Sequence, residues 1–210
     1  MLLLYARGGA AWVLGFVALA PWLRTLDAHP TATSAARTLL NAYVMSVALT
    51  AAMFAWFGLA MGRYAQVNEV AGLGVLLLLA PVFQPQVLVF AWVRHLALRR
   101  YGAVAGALVG GAAWVATEWA APKLLGDTLG HGLYPSRLLR QGADVGGAAG
   151  LTLMLLLANE CITAAWARIG AGWRAVAPAL VLAALPPLLL AAYGLAVLSQ
   201  EASTPGQTLR

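Results

Sequence analysis

Three residues of this chain, Glu118, Lys123 and Cys161, have the side chains of an amide-type acyl-transfer centre. In such a centre, a lysine and a glutamate activate a cysteine thiolate, which accepts the acyl group. Their spacing argues against that chemistry, because Cys161 lies near the opposite end of a predicted membrane helix from the loop that carries Lys123. Apolar surroundings also disfavour the thiolate form. We therefore predict no catalytic residue here and assign Cys161 to packing.

The longest segment between apolar stretches, residues 120–143, is best suited to contact a phosphate or a lipid headgroup. Guanidinium groups bind phosphate through paired N–H donors, and loops beside rigid elements often carry function. The alternative is a solvated loop whose cations touch headgroups without a specific role. On the functional interpretation, the candidate lipid or substrate contacts are Lys123, Asp127, His131, Tyr134, Arg137 and Arg140.

Three further polar residues fall within or at the ends of apolar stretches, where a polar side chain commonly marks function or a structural partner. Glu118 stands in "WVATEW", near the outer end of its stretch, from which it could reach headgroups. Glu160 lies about 24 Å along a helix from Asp144. We expect it to pair with an arginine from the cytoplasmic side, and Asn159 directly precedes it.

A glycine-rich stretch follows Asp144 and opens the same predicted helix. Gly146 and Gly150 have the four-residue spacing of small residues that lets another membrane helix approach closely. With Gly147 between them, the pattern predicts a packing face. Asp144 is well placed to cap the helix start, where free N–H groups favour a carboxylate.

The elements that must position these residues are membrane helices. The chain has 210 residues, of which 62% are hydrophobic and 10% charged, whereas a soluble domain carries about 25% charged residues. An open sheet cannot satisfy its backbone in lipid, and the alternation of barrel strands is absent. The sequence predicts an all-α, polytopic transmembrane helical bundle over residues 1–198, followed by a polar linker or tail at 199–210. About six spans are expected, at residues 2–23, 38–61, 70–93, 101–119, 145–168 and 175–198. Pro81 and Pro85 are expected to kink the third span, and Pro186 and Pro187 to break the sixth.

The net charge of +6 does not indicate nucleic acid, because the arginines are scattered at the ends of apolar runs. Such charges fix orientation, with the larger number on the cytoplasmic side. This rule places both termini and the 120–143 loop on the outer, periplasmic side. The arginines expected in the cytoplasm are Arg24, Arg37, Arg94, Arg99, Arg100, Arg168 and Arg174.

No residue pattern requires a cofactor or a metal ion. A Gly-rich phosphate loop, a Ser nucleophile elbow and a His-rich metal pattern are all missing from the sequence. His29, His95 and His131 fall in different loops, and the single cysteine excludes a Cys-based zinc cage. We expect no cofactor.

Three stretches resemble the membrane domain of bacterial apolipoprotein N-acyltransferase. They are "GFVALAPWL" at residues 15–23, "ALVGGAAWVATEW" at 107–119 and "LLRQGADVGGAAGLTLMLLLAN" at 138–159. The similarity follows the chain nearly end to end. In the third stretch, the family's Gln, Ala-Asp, Gly-Gly, Gly-Leu and Asn pattern is matched by Gln141, Ala143, Asp144, Gly146, Gly147, Gly150, Leu151 and Asn159.

The resemblance implies a multi-pass protein of the bacterial inner membrane. Such enzymes move an acyl chain from a phospholipid to the amino-terminal cysteine of a diacylglyceryl lipoprotein, through a thioester on a cysteine. Their Glu-Lys-Cys triad belongs to an outer, nitrilase-like domain. This sequence ends at "GQTLR", about where the first strand of that domain would begin, and the family's first span has no counterpart.

We therefore expect a truncated membrane scaffold that is not catalytic alone. Its expected partners are membrane phospholipid and either a lipoprotein substrate or a separate nitrilase-like catalytic chain. One alternative is a non-enzymatic membrane subunit for binding or assembly. A small transporter is less favoured, because the internal repeat typical of such proteins is not found.

Overall fold

The computed structural model describes residues 1–27, 34–121 and 127–203, with side chains as far as Gln200. All regular elements in these ranges are helices, which confirms the predicted all-α bundle. Five helical runs in them are long and apolar enough to cross a membrane, compared with the six expected. These runs are Gly9–Asp27, Ala35–Tyr64, Ala103–Ala120, Leu139–Ala167 and Trp173–Gln200.

The first expected span, residues 2–23, is broken rather than continuous. It consists of a short helix α1 (Leu2–Ala6), a 3-10 helix (Gly9–Phe16) and α2 (Ala20–Asp27). Gly8 and Gly9 separate the first two pieces with φ angles of 72° and 64°. Only glycine adopts such angles readily, so the "GG" after Arg7 ends α1 and redirects the chain.

Helices α3 (Ala35–Tyr64) and α4 (Glu69–Leu78) form a close antiparallel hairpin. Glycines at Gly58, Gly62 and Gly72 bring the two backbones together. A Cβ on Gly72 would lie 2.6 Å from the backbone of both other glycines. The close approach of two membrane helices through small residues therefore occurs in the α3–α4 hairpin.

The third expected span, residues 70–93, is divided into α4, α5 (Ala80–Phe83) and α6 (Pro85–Tyr101), all of which pack along α3. Pro81 and Pro85 stand in the first turns of α5 and α6. Proline is tolerated there because the N–H that it lacks would have no partner within the helix. The two prolines thus begin new helices, where a kink in one helix was expected.

The remaining helices are α7 (Ala103–Ala120), α8 (Ala143–Ala167) and α9 (Trp173–Ser203). Two 3-10 helices, Leu129–Leu133 and Leu139–Gly142, lie between α7 and α8, and a third, Ile169–Ala171, joins α8 to α9. The break expected at Pro186 and Pro187 is absent, since α9 continues through them to Ser203. The expected tail, residues 199–210, thus begins as helix, and residues 204–210 lie outside the described ranges.

Helix α8 lies at the centre of the bundle, against α2, α7, α9 and the segment before it. The core beside it is aromatic. The Phe90 ring centroid is 5.6 Å from that of Trp22 and 5.5 Å from that of Trp114. This packing joins α2, α6 and α7 into one body around α8.

One end of the bundle gathers α1, residues 127–142 and the last turns of α9. The Tyr5 hydroxyl donates a hydrogen bond to the Leu129 carbonyl, and Gly194 packs against the Leu138 backbone. We call this the loop end. The N-terminal segment and the C-terminal end of α9 therefore lie at the same end of the bundle.

Candidate functional site

A cavity of about 240 Å³ opens at the loop end, between α1, the middle of α3 and the Leu129–Leu133 helix. Its wall on the α3 side is apolar, with Leu49 and Met53. The rest of its lining includes polar side chains, and these are Arg7, Asp127, Thr128, His131 and Tyr134. Three of the predicted contact residues, Asp127, His131 and Tyr134, therefore share one site.

The local fold fixes the His131 ring. The backbone N–H of Thr128 donates a hydrogen bond to His131 Nδ1 at 2.9 Å, and the Thr128 side chain accepts from the His131 backbone to complete a capping box. An Nδ1 that accepts carries no proton, so a neutral ring carries its proton on Nε2. His131 thereby keeps one N–H for a ligand.

Two contacts anchor the cavity's loop to the bundle. The backbone N–H of Gly130 donates to the Thr152 hydroxyl of α8 at 2.9 Å. On the other side, the Tyr5 ring lies so close to Gly15 and Gly132 that a Cβ on either glycine would overlap it. The cavity is thus built on α8 and α1, and its loop is held from both sides.

The other predicted loop residues do not line this cavity. The Arg140 guanidinium carbon stands 5.0 Å from the centroid of the Tyr134 ring, within the range of a cation–π contact. Arg137 is exposed, and its carbonyl accepts a hydrogen bond from Gln141 at 3.2 Å. Lys123 lies outside the described residues. Arg140 therefore contacts a residue of the cavity lining, Tyr134, whereas Arg137 does not belong to that lining.

The glycines after Asp144 do not form the packing face that their spacing predicted. Within the described part of the chain, a Cβ on Gly146, Gly147 or Gly150 would have no heavy atom within 4 Å. Gly147 instead breaks the start of α8, with a φ of 63°. Asp144 stands in the first turn of α8, near the helix start as predicted, but it does not cap the helix, because Gly142 occupies the N-cap position and no side chain makes a capping hydrogen bond there.

Glu118 does not reach outward as expected. Its side chain is buried and accepts a hydrogen bond from the Trp114 indole at 3.0 Å, one turn earlier in α7. An indole N–H inside a membrane bundle needs such an acceptor. The tryptophan belongs to the aromatic core, so Glu118 supports the core of the bundle.

The Asn159 side chain makes hydrogen bonds to the backbone on both sides of the break in the first span. Its Oδ1 accepts from the backbone N–H groups of Leu19 and Ala20, at 2.8 and 3.0 Å. Its Nδ2 donates to the carbonyls of Gly15 and Leu155, both at 2.8 Å. All four hydrogen bonds of the amide are made. The side chain supplies the backbone partners that a broken membrane helix needs.

Glu160 pairs with an arginine, as predicted, although the arginine is inside a helix. Arg94 of α6 donates from Nε and Nη2 to the Glu160 carboxylate, at 2.6 and 2.8 Å. Arg94 also donates from Nη1 and Nη2 to the carboxylate of Asp27, at 2.7 and 3.1 Å. Sequence reasoning missed Asp27 and placed Arg94 in a loop. The three form an ion cluster at the end of the bundle opposite the loop end.

Cys161 is half-buried and follows Glu160. It lies about 21 Å along α8 from Gly147, which sets it far from the loop-end cavity. Among the described residues, no group of three His, Cys, Asp or Glu side chains is placed to hold a metal ion.

A family model described as the apolipoprotein N-acyltransferase N-terminal domain matches residues 1–161 of the 210. The chain belongs to this family. The match within this N-acyltransferase domain takes in every residue of the cavity, together with Asn159 and the ion cluster, and it ends within α8. No curated protein and no solved structure matches the chain.

Proposed function

We propose that this chain is the lipid-handling membrane scaffold of an apolipoprotein N-acyltransferase-like protein of the bacterial inner membrane. In this proposal, the loop-end cavity receives the headgroup region of a phospholipid acyl donor. The observation that carries the proposal is the division of the cavity between polar and apolar residues. Arg7 and His131 offer donors to a phosphate, while Leu49 and Met53 offer an apolar surface to the glycerol and the first methylenes.

The proposed orientation places the loop end, and with it both termini, on the periplasmic side. The excess of arginines expected at the opposite side supports it. In that orientation the cavity lies at the outer headgroup level. A fusion of a reporter after α9 would give a cytoplasmic signal if this orientation were wrong.

The chain by itself is proposed to hold the donor without cleaving it. Its single thiol, Cys161, is half-buried next to the Glu160 carboxylate and at the wrong end of α8 for the cavity. A neighbouring carboxylate and an apolar environment both disfavour a thiolate nucleophile. A nitrilase-like catalytic unit, acting over the loop end, would supply the chemistry and receive the lipoprotein substrate.

The test of the cavity compares two arginines of the same end. The purified chain is exchanged into detergent, and the phospholipid that it retains is measured by native mass spectrometry. Arg7→Gln should lower retention tenfold or more, because a charge-assisted hydrogen bond to phosphate contributes roughly 1.5–3 kcal/mol. Arg137→Gln is the matched control, since Arg137 is exposed but does not line the cavity.

Equal retention by the wild-type chain and Arg7→Gln would contradict headgroup binding at this cavity. Equal losses in the two variants would assign lipid retention to the general positive charge of the loop end. The variants must unfold at the wild-type temperature for either comparison to count. Retention that depends on Arg7, together with no transfer of acyl groups by the chain alone, is the expected result.

A further inference from the structure

The loop-end cavity is too small for a whole phospholipid. Its volume is about 240 Å³, whereas sites for drug-sized ligands span roughly 300–1,000 Å³, and a phospholipid with two acyl chains is larger still. A bound donor must therefore place most of the length of its acyl chains outside this cavity. The position of the nearest apolar space decides where they go.

A groove of that kind runs along α3 on the far side of α1. Its first part, about 490 Å³, is lined by Met1, Leu2, Leu3 and the small residues of α2 and α3, including Ala48, Ala51 and Ala52. A second part, about 520 Å³, shares Pro21 and Ala48 with the first and continues along α3 as far as Arg37. We call these two parts together the α3 groove.

Residues of helix α1 line both the α3 groove and the loop-end cavity. Leu2 lines both spaces. On α3, the groove residues Ala51 and Ala52 are followed directly by Met53 of the cavity, and Ala48 is followed by Leu49. The two spaces are therefore neighbours on one helix, and α1 borders both.

Helix α1 is short and is held to the bundle through one buried side chain. It has five residues, and Tyr5 is the one among them that is buried. Gly8 and Gly9 follow it, both with positive φ, at a point where glycine makes backbone rotation easy. Its inner face is held by the Tyr5 hydroxyl, which donates to the Leu129 carbonyl.

We propose that the α3 groove is an acyl-chain site, and that α1 is the gate across which a chain passes between the groove and the loop-end cavity. The inference rests on the proposed headgroup role of the cavity and adds the site of the acyl chain. The groove's lining suits this ligand, since it is apolar beside α1 and alanines leave the space open. Loss of the Tyr5 hydrogen bond opens the gate, and a bulky side chain in the groove closes it.

The experiment uses the full chain in phosphatidylcholine nanodiscs with a trace of phosphatidylglycerol that carries a diazirine on one acyl chain. Illumination followed by peptide mass spectrometry locates the adducts. In the wild-type chain, adducts are expected on Ala51 and Ala52 of the groove and, at a lower level, on Met53 of the cavity. Tyr5→Phe should raise the Met53 adducts about fivefold, the factor that loss of one neutral hydrogen bond corresponds to.

Two further substitutions act on α1 and on the groove. Leu2→Ala shortens the side chain shared by the two spaces and should also raise the Met53 adducts. Ala52→Trp fills the groove beside α1 and should abolish them. Ala60→Trp is the matched control, because Ala60 is exposed on α3 and lines neither space. Thermal unfolding of each variant shows that it is folded.

If Tyr5→Phe, Leu2→Ala and Ala52→Trp all leave the Met53 adducts at the wild-type level, the gate is overturned. Groove adducts no more frequent than those on Ala60 would overturn the acyl-chain site. Failure of this inference is distinct from failure of the proposed function. If Arg7→Gln lowers lipid retention while the α1 and groove variants change no adduct, the headgroup site stands and the groove does not.

Discussion

Replacement of Asn159 by leucine should be among the most destabilising single changes in this chain. The side chain is fully buried, and leucine fills nearly the same volume without donating or accepting. The Leu19 N–H loses its acceptor and the Gly15 carbonyl loses its donor. The Ala20 N–H keeps a bond to the Val17 carbonyl at 3.2 Å, so two buried groups lose the partner that the amide supplied.

The size of the effect follows from those two groups. A buried backbone group without its partner costs about 1–3 kcal/mol, and partial relaxation of the break brings the expected sum to roughly 3 kcal/mol. For a chain of about this length, that corresponds to a fall in Tm of about 6–12 °C. Thermal unfolding of the purified protein in detergent measures it.

Thr163→Val is the control for this prediction. Thr163 is also buried in α8. Its hydroxyl lies 3.4 Å from the Ala20 carbonyl and has its shorter hydrogen bond, at 2.7 Å, to the Asn159 carbonyl of the same helix. That carbonyl keeps its helical backbone donor, so the loss should be below about 1 kcal/mol. A Tm decrease for Asn159→Leu no larger than that for Thr163→Val would refute the assignment of Asn159 to the break.

Three other predictions test the remaining contacts. Arg94→Met leaves the Asp27 and Glu160 carboxylates facing each other and should lower the free energy of unfolding by about 3–5 kcal/mol. Part of that loss should be recovered when Asp27 and Glu160 are also replaced by their amides. An unchanged Tm for Arg94→Met alone would count against the ion cluster. Gly72→Leu should lower Tm strongly because the α3–α4 backbones leave no space for a side chain, whereas Gly146→Leu, in open space, should barely change it. A larger decrease in Tm for Gly146→Leu than for Gly72→Leu would support the packing face expected at Gly146. Cys161→Ala should change Tm only slightly. After incubation of the wild-type chain with phospholipid, intact-mass measurement should detect no thioester on Cys161, and a trapped acyl adduct there would contradict a non-catalytic scaffold.

The sequence was sufficient for the fold class and for most of the spans, because composition and the length of apolar runs determine both. Helix continuity was harder. Pro186 and Pro187 lie inside an unbroken α9, while Pro81 and Pro85 begin new helices. A proline in the sequence limits the backbone locally, but the neighbouring helices decide whether the chain continues through it.

Close helix contacts show a similar limit. The spacing of Gly146 and Gly150 predicted a packing face that the bundle does not use, whereas the same spacing at Gly58 and Gly62 marks a real one. The second pair was visible in "GLAMG" and could have been proposed. Spacing shows which glycines share a helix face, and only the hairpin partner, here Gly72, shows that a helix lies against it.

The polar contacts depend most on tertiary structure. An arginine partner for Glu160 could be predicted, because a buried charge needs one. Arg94 could not be named, since the apolar run that suggested a span ended at residue 93, while α6 continues to Tyr101. Asn159 contacts backbone atoms some 140 positions earlier in the chain, and Arg7 joins Asp127 at the cavity. No local pattern reports contacts at such separations.

The ion cluster also implies an order of events during membrane insertion. Asp27, Arg94 and Glu160 come from α2, α6 and α8, so they leave the ribosome in that sequence. When α6 arrives, Asp27 can already accept both Nη groups of Arg94, as it does in the finished bundle. Arg94 therefore has one carboxylate partner in the chain before Glu160 is synthesised. Its two hydrogen bonds to Glu160 can form only once α8 has followed, so the cluster is completed with the last of its three helices.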